Sequence, residues 1–215
     1  MSPPRRKLLL MALALPAVLA TPACTSLVSR PAPVKEMFLL DPPLPEKGGA
    51  PAKPAVLRIG TVNVAAPYRA KNFVYRRSDL GYEADYYHEF FVPPALMLAD
   101  AMAKGLAAAG IFERVVPAGV AGNEGDFLLD AFVAELYGDG RAQTRGAAVL
   151  RVTFYLSALS APGAAPVWTR EYSQRAEFDG TGAQGLAQGL SRALGQVLSD
   201  LARDLAREEL KTSPQ

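Results

Sequence analysis

The sequence predicts an α+β domain, a mostly antiparallel sheet with two long helices packed on one face, preceded by a signal peptide and a Pro-rich linker. Three observations predict it. Leu98, Met102 and Leu106 recur every fourth residue, and Leu186, Leu190, Leu194, Val197, Leu201 and Leu205 continue that period over a longer run; this is the stripe of an amphipathic helix. Leu150, Val152, Phe154 and Leu156 alternate with Arg151, Thr153, Tyr155 and Ser157, as in a strand with one buried face. Prolines and glycines punctuate the intervals between such runs.

Residues 1–23 read as a signal peptide of lipoprotein type. Arg5, Arg6 and Lys7 precede the apolar run Leu8 to Ala20, and Thr21-Pro22-Ala23 leads to Cys24. A basic start, a short apolar stretch and small residues before a cleavage point mark secretion, and the run is too short for a spanning helix. Cleavage before Cys24 would free a thiol at the mature N-terminus for acyl chains, each buried methylene contributing about 0.8 kcal/mol to anchoring. Lipoprotein signals usually carry Leu where Thr21 stands and a flexible small residue where Pro22 stands. The other reading is cleavage after Ala20, with Val18 and Ala20 at the small-residue positions.

Residues 24–54 read as a Pro-rich linker. Pro31, Pro33, Pro42, Pro43, Pro45, Pro51 and Pro54 alternate with Gly48, Gly49 and small residues. Such a segment favours polyproline II at about 3.1 Å per residue, a spacer able to hold a domain off a membrane. One apolar island at 37–41, Met37-Phe38-Leu39-Leu40-Asp41, is expected to add an edge strand.

The domain is expected over 55–210. Val56 to Val64 is rich in β-branched residues and reads as a strand. Phe73 to Arg77 and Tyr82 to Phe91 flank Ser78-Asp79-Leu80-Gly81, a hairpin around a polar turn. After Pro93-Pro94 the period becomes helical and runs to Gly110, a plausible stop, before a short strand at Arg114 to Pro117. Phe127 to Tyr137, Ala147 to Leu159 and Pro166 to Phe178 are three further strands, separated by turn residues at Gly138-Asp139-Gly140 and Ala161-Pro162-Gly163. The second helix follows, and the polar tail 211–215 is expected to be disordered.

Composition excludes several classes. The net charge of +2 gives no electrostatic footprint for nucleic acid. With a single cysteine no intrachain disulfide forms, so the core alone must hold the fold. His88 is the only histidine and Cys24 lies far from it in sequence, so cysteine–histidine catalysis and the usual zinc sites lack their residues. No Gly-x-Ser-x-Gly elbow occurs, and Gly138-Asp139-Gly140 and Gly180-Thr181-Gly182 lack the continuation of a phosphate loop. No catalytic residue, metal or cofactor is therefore expected.

The surface feature with most chemical content is aromatic. Phe73, Tyr75, Tyr82, Tyr86, Tyr87, Phe90 and Phe91 lie on the two arms of the expected hairpin, which can bury only one face in its own core. The other face is then available to a partner, with Asp79, Glu83, Asp85 and Glu89 as a polar rim. The same residues also suit a hairpin that only covers the helix.

Several stretches resemble the ABC-type transport auxiliary lipoproteins: the linker after a lipoprotein-like cysteine, Phe38-Leu39-Leu40-Asp41, Leu57-Arg58-Ile59-Gly60, Phe73-Val74-Tyr75-Arg76, Tyr82 to Phe90 leading into Pro93-Pro94, and the helix ending at Gly110-Ile111-Phe112. That family includes the lipoprotein of the paraquat-inducible system, which works beside MCE-domain proteins. The resemblance implies a non-enzymatic periplasmic accessory subunit, with an MCE-domain protein and ABC transporter components as partners, lipidation at Cys24 and room for a homo-oligomer. Thr25 stands where an aspartate would signal inner-membrane retention, which points to the periplasmic side of the outer membrane. The alternative is a periplasmic carrier that binds a lipid or other apolar ligand between sheet and helices, where Ala99, Ala103, Ala107, Ala108 and Ala109 could leave room.

Overall fold

A computed structural model describes residues 34–210 except 123, 124, 143, 144, 161, 162, 164 and 181; the leader, Cys24 and the tail lie outside the described residues. The elements run β1 (Glu36–Phe38), β2 (Lys53–Val64), a 3-10 turn (Ala66–Tyr68), β3 (Asn72–Arg76), β4 (Tyr82–Phe90), α1 (Pro94–Ala109), β5 (Phe112–Val116), β6 (Phe127–Asp139), β7 (Arg145–Ala158), β8 (Trp168–Asp179) and α2 (Ala183–Arg207). The α+β class and each expected strand and helix are present.

All the described strands form one mixed sheet, in the order β1-β4-β3-β6-β2-β5, with β7 beside β6 and β8 beside β7. The hairpins β3–β4, β6–β7 and β7–β8 are antiparallel, whereas β1–β4, β2–β5, β2–β6 and β3–β6 are parallel. Parallel neighbours need a crossover, and α1 supplies the one between β2 and β5. Long β6 joins the parts: β2 lies beside its first half, β3 beside its end, and β7 along its other edge.

Local chemistry sets the bends. An extra residue at Ala134 breaks the β6–β7 register between Val133 and Glu135. Leu129, Val133 and, past the bulge, Leu136 are consequently all buried. In β2 the register shifts between Ile59 and Val62; the Thr61 amide donates to Asp130 Oδ1 at 2.7 Å, and a Cβ on Gly60 would overlap that carboxylate.

The core lies between sheet and helices. The whole α2 stripe from Leu186 to Leu205 is buried, as are Leu98, Met102 and Leu106 of α1 and Leu57, Leu129, Leu150, Phe154 and Leu156 of the sheet. Each such side chain contributes about 1.5–3 kcal/mol relative to exposure. Gly110 ends α1 in the left-handed region at φ 64°, as the stop expected there requires.

The expected linker 24–54 does not run free to its end. From Glu36 onward it belongs to the fold: β1 joins the sheet edge, and residues 40–48 form a strap over the helices. The Leu40 amide donates to Met97 Sδ at 3.3 Å, Asp41 N–H to Ser191 Oγ at 3.1 Å and Gly48 N–H to Ala109 O at 3.2 Å. Pro45 is buried, and Pro43 sits where a Cβ on Gly195 would come within 2.6 Å of its Cδ. A proline laid on a helix surface buries no amide donor, so residues that read as spacer chemistry serve equally well as packing.

Candidate docking surface

The β3–β4 hairpin is closed by its own turn. Arg77 N–H donates to Gly81 O at 2.8 Å, and Gly81 N–H to Ser78 Oγ at 2.9 Å. Arg141 reaches from the β6–β7 loop to Asp79 at 3.2 Å while holding buried Asp139 at 2.8 Å, so the turn is moored to the sheet. Hydrogen bonds from Arg141, then Arg175, hold the Asp139 carboxyl far below the usual carboxylate range despite its burial.

The decisive local feature is a bulge in β4. Asn72 pairs with Glu89 but Val74 with Ala84, which leaves Asp85 to His88 unpaired with β3. Asp85 organises that bulge: Oδ1 accepts the amides of Tyr87 at 2.8 Å and His88 at 3.1 Å, Oδ2 lies 2.8 Å from His88 Nδ1, and its carbonyl accepts from Asn72 Nδ2 at 2.8 Å. Burial alone would raise the Asp85 pKa; the hydrogen bonds from His88 and the two amides outweigh it and hold the group below its ordinary value. This carboxylate-capped loop is the side-chain-to-backbone chemistry that lets Asp compete with a strand ladder. His88 lies between Asp85 and the β1 residue Glu36, whose carboxylate is 4.0 Å from Nε2.

The bulge sorts the aromatic set. Tyr86 is 68 % exposed and Tyr87 41 %, their rings meeting edge to face at 5.1 Å, with Lys35 Nζ 5.0 Å above Tyr86. Phe91 is 57 % exposed at the end of the hairpin. Tyr82 is exposed on one side and packs its edge on Tyr137 at 5.6 Å. Phe73, Tyr75 and Phe90 are buried, and this corrects their expected place on a partner-facing surface. Phe73 packs against Phe90 at 4.7 Å and Phe38 at 5.2 Å, and burial pushes the Tyr75 phenol up to about 12. Phe73 and Tyr75 stand two apart in β3 and so share one face of the sheet, the covered one, which completes the core instead of facing solvent.

The expected polar rim is corrected at Glu89. That carboxylate is buried between Lys35 at 3.3 Å and Lys71 at 3.5 Å, and this pair overcomes the effect of burial and lowers its pKa. The sequence reading missed Lys35, which clamps β1 to β4 through Glu89, whereas Met37 and Leu39 of the expected edge-strand island stand exposed. The signal for Lys35 was an isolated lysine just before the apolar island.

The space between sheet and helices is filled. The void bordered by Leu98, Met102, Val133, Phe154 and Leu194 measures about 10 Å³, less than an acyl chain requires. Ala99, Ala103 and Ala109 are buried and Ala107 is exposed; a Cβ on neighbouring Gly105 would approach Leu198 to 3.0 Å. Small residues here let the helices pack closely. A larger hollow of about 630 Å³ is an open groove beside the strap, lined by Leu44, Lys47, Ala109 and Arg207 among others. Among the described residues no group of three or more His, Cys, Asp or Glu could hold a metal, and no helix is long and apolar enough to cross a membrane.

Comparison with known proteins bears on the family and the fold. The family described as ABC-type transport auxiliary lipoprotein component matches residues 38–202. A crystal structure of a Xanthomonas campestris protein superposes with a TM-score of 0.68 at 17% identity, covering 78% of this chain and 92% of that one. A second, from an uncharacterized protein, superposes at 0.62 with 19% identity, covering 80% and 99%. Both show the same fold. No curated protein matches the chain.

Proposed function

The chain belongs to the family of ABC-type transport auxiliary lipoprotein components, which is not an enzyme family, and on that premise we propose that it is a periplasmic accessory subunit of an MCE-type lipid or organic-solvent transport system. It docks on the transport assembly through the outward side of the β4 bulge and links that assembly to the outer membrane through acyl chains on Cys24. The observation that carries this reading is the bulge itself: Asp85 spends its carboxylate on holding Tyr86 and Tyr87 in solvent. Exposed aromatics with an apolar body and a polar tip, ringed by charge, are what the centre of a protein interface is made of.

The void between sheet and helices at Leu98, Met102 and Phe154 measures only about 10 Å³, which supports docking over the carrier alternative. The strap also changes the geometry of tethering. Since β1 and residues 40–48 are fixed to the domain, they add nothing to the reach of a spacer.

The test is recovery from membranes. Wild type is expected to bring down the MCE-domain and ABC components, Tyr86→Ala/Tyr87→Ala to lose them while still fractionating with membranes, and Cys24→Ala to leave the membrane fraction. Unchanged partner recovery by the double variant would remove the docking surface, and unchanged fractionation of Cys24→Ala would remove the anchor.

A further inference from the structure

A second exposed patch stands where the chain enters the fold. Phe38 and Leu40 pack against the core, so Lys35, Met37 and Leu39, which alternate with them, point to the opposite side of the sheet edge. Phe90 is buried in that core as well, which turns Glu89 and Phe91 to the same opposite side. β1 runs parallel to β4 with Met37 beside Glu89, and the Phe91 amide donates to the Phe38 carbonyl at 2.8 Å, so the next step of the register sets Leu39 beside Phe91. Met37, Leu39 and Phe91 are each more than half exposed, and none has a polar tip. Two cations border them. Lys35 and Lys71 hold the buried Glu89 carboxylate at 3.3 and 3.5 Å, and Lys71 Nζ lies 3.4 Å from the Phe91 carbonyl.

We propose that this patch rests on the lipid surface of the membrane, as a second contact beside the acyl chains; the inference rests on the anchor read above at Cys24. Chain length brings the two together. Nine residues, Thr25 to Pro33, separate Cys24 from Val34, so the tether spans at most about 35 Å, and it ends one residue before Lys35. The chemistry of the patch selects lipid over protein. Protein interfaces are depleted of lysine, whereas at a bilayer a lysine lays its stem along apolar surface and gives its ammonium to the phosphates. Met37, Leu39 and Phe91 then enter the boundary between headgroups and acyl chains, as the apolar side of an interfacial helix does. The neighbouring tyrosines have the opposite chemistry, a polar tip on each ring, and Lys35 Nζ, 5.0 Å from the Tyr86 ring centre, marks the border between the two surfaces. A chain seated on lipid through the first surface keeps the second free for a transporter in the same membrane system.

The experiment uses the full chain as purified from membranes, reconstituted in vesicles of phosphatidylethanolamine and phosphatidylglycerol whose brominated acyl chains quench tryptophan on contact. Trp168, the only tryptophan of the chain, is replaced by Phe, and Leu39→Trp or Phe91→Trp carries the signal; should Trp168→Phe not fold, the wild-type emission is subtracted instead. Both probes are expected to shift to the blue and lose most of their emission, while Thr153→Trp on β7 loses none. Phe91→Asp in the Leu39→Trp chain should abolish the loss. Replacing phosphatidylglycerol by phosphatidylcholine should weaken the contact about fivefold per lysine, and no dependence on lipid charge would overturn the part given to the lysines. The vesicles hold no transport component, so the result is independent of docking through Tyr86 and Tyr87, and the mass of the same sample reports the acyl groups on Cys24. Quenching at 39 and 91 without acyl groups would uphold the patch and remove the anchor. Unquenched probes at 39 and 91, on an acylated or an unacylated chain, quenching at 153 equal to theirs, or a photo-cross-linking residue at 39 that captures a protein in cells in place of lipid would each overturn the proposal.

Discussion

Asp85 Oδ2 lies 2.8 Å from His88 Nδ1 while Oδ1 of the same carboxylate takes the Tyr87 and His88 amides, so one side chain holds both ends of the loop that puts Tyr86 and Tyr87 into solvent. Replacing Asp85 with Ala removes acceptors from three donors. The expected loss is about 1–3 kcal/mol of stability, read by urea denaturation, together with a weaker partner complex. Full stability with unaltered amide exchange at Tyr87 and His88 would show that the bulge forms without its cap.

The aromatic set divides by burial, and stability measurements should divide it the same way. Phe73→Ala opens a hole among Phe38, Phe90 and their neighbours and is expected to cost about 3–5 kcal/mol. Tyr86→Ala should stay within about 0.5 kcal/mol of wild type, as exposed positions do. Equal losses at the two sites would mean that Tyr86 is part of the core.

Acid sensitivity follows from carboxylates with depressed pKa values. Asp85, Glu89 and Asp139 are all lowered in the folded chain, the last most strongly through Arg141. A folded pKa below the unfolded one, roughly 3.9 for Asp and 4.3 for Glu, adds stability that is complete above the unfolded value and lost as pH falls through the folded one. The urea midpoint should therefore hold steady down to about pH 5 and drop below about pH 4. Asp139→Asn should lower the midpoint at neutral pH and flatten that drop; an equally steep drop in the variant would assign the acid response elsewhere.

Gly195→Ala separates two effects of opposite sign. Helix propensity alone would favour Ala by about 1 kcal/mol. The added Cβ meets Pro43 Cδ at 2.6 Å and the Pro43 carbonyl oxygen at 3.0 Å, so the strap must lift, and overpacking of this kind costs about 1–3 kcal/mol. Net destabilisation with faster exchange of the Asp41 and Gly48 amides is expected. Net stabilisation would show that the strap is not seated on α2.

Much of this fold is legible in the sequence because the period of its apolar residues is. The α2 stripe, the β7 alternation and the helix stop at Gly110 each depend on local spacing, and each stands where that spacing puts it. What spacing does not carry is which strand lies beside which. Nothing in Val56 to Val64 says that β5 and β6 flank it in parallel, because that follows from the crossover through α1. The strap was illegible for a different reason: Pro43 and Pro45 suit a free extended segment and a packed one alike, and only Gly195 and Gly105 across the helices decide between them. At the candidate site the aromatic residues were visible as a cluster, but which of them face outward depends on the Asp85 bulge and on which face of β3 is covered. An aspartate followed by two tyrosines and a histidine was the sign of that bulge, and it reads equally as ordinary rim charge.

The central claim is that the outward side of the β4 bulge touches the transport assembly. Its most direct test is a photo-cross-linking residue placed at Tyr86 in the full chain in cells, with a second at Thr153 on β7 as the comparison. The account predicts a product with an MCE-domain or ABC-transport component from position 86 and none from position 153. The absence of such a product at 86, or its appearance only at 153, would contradict it.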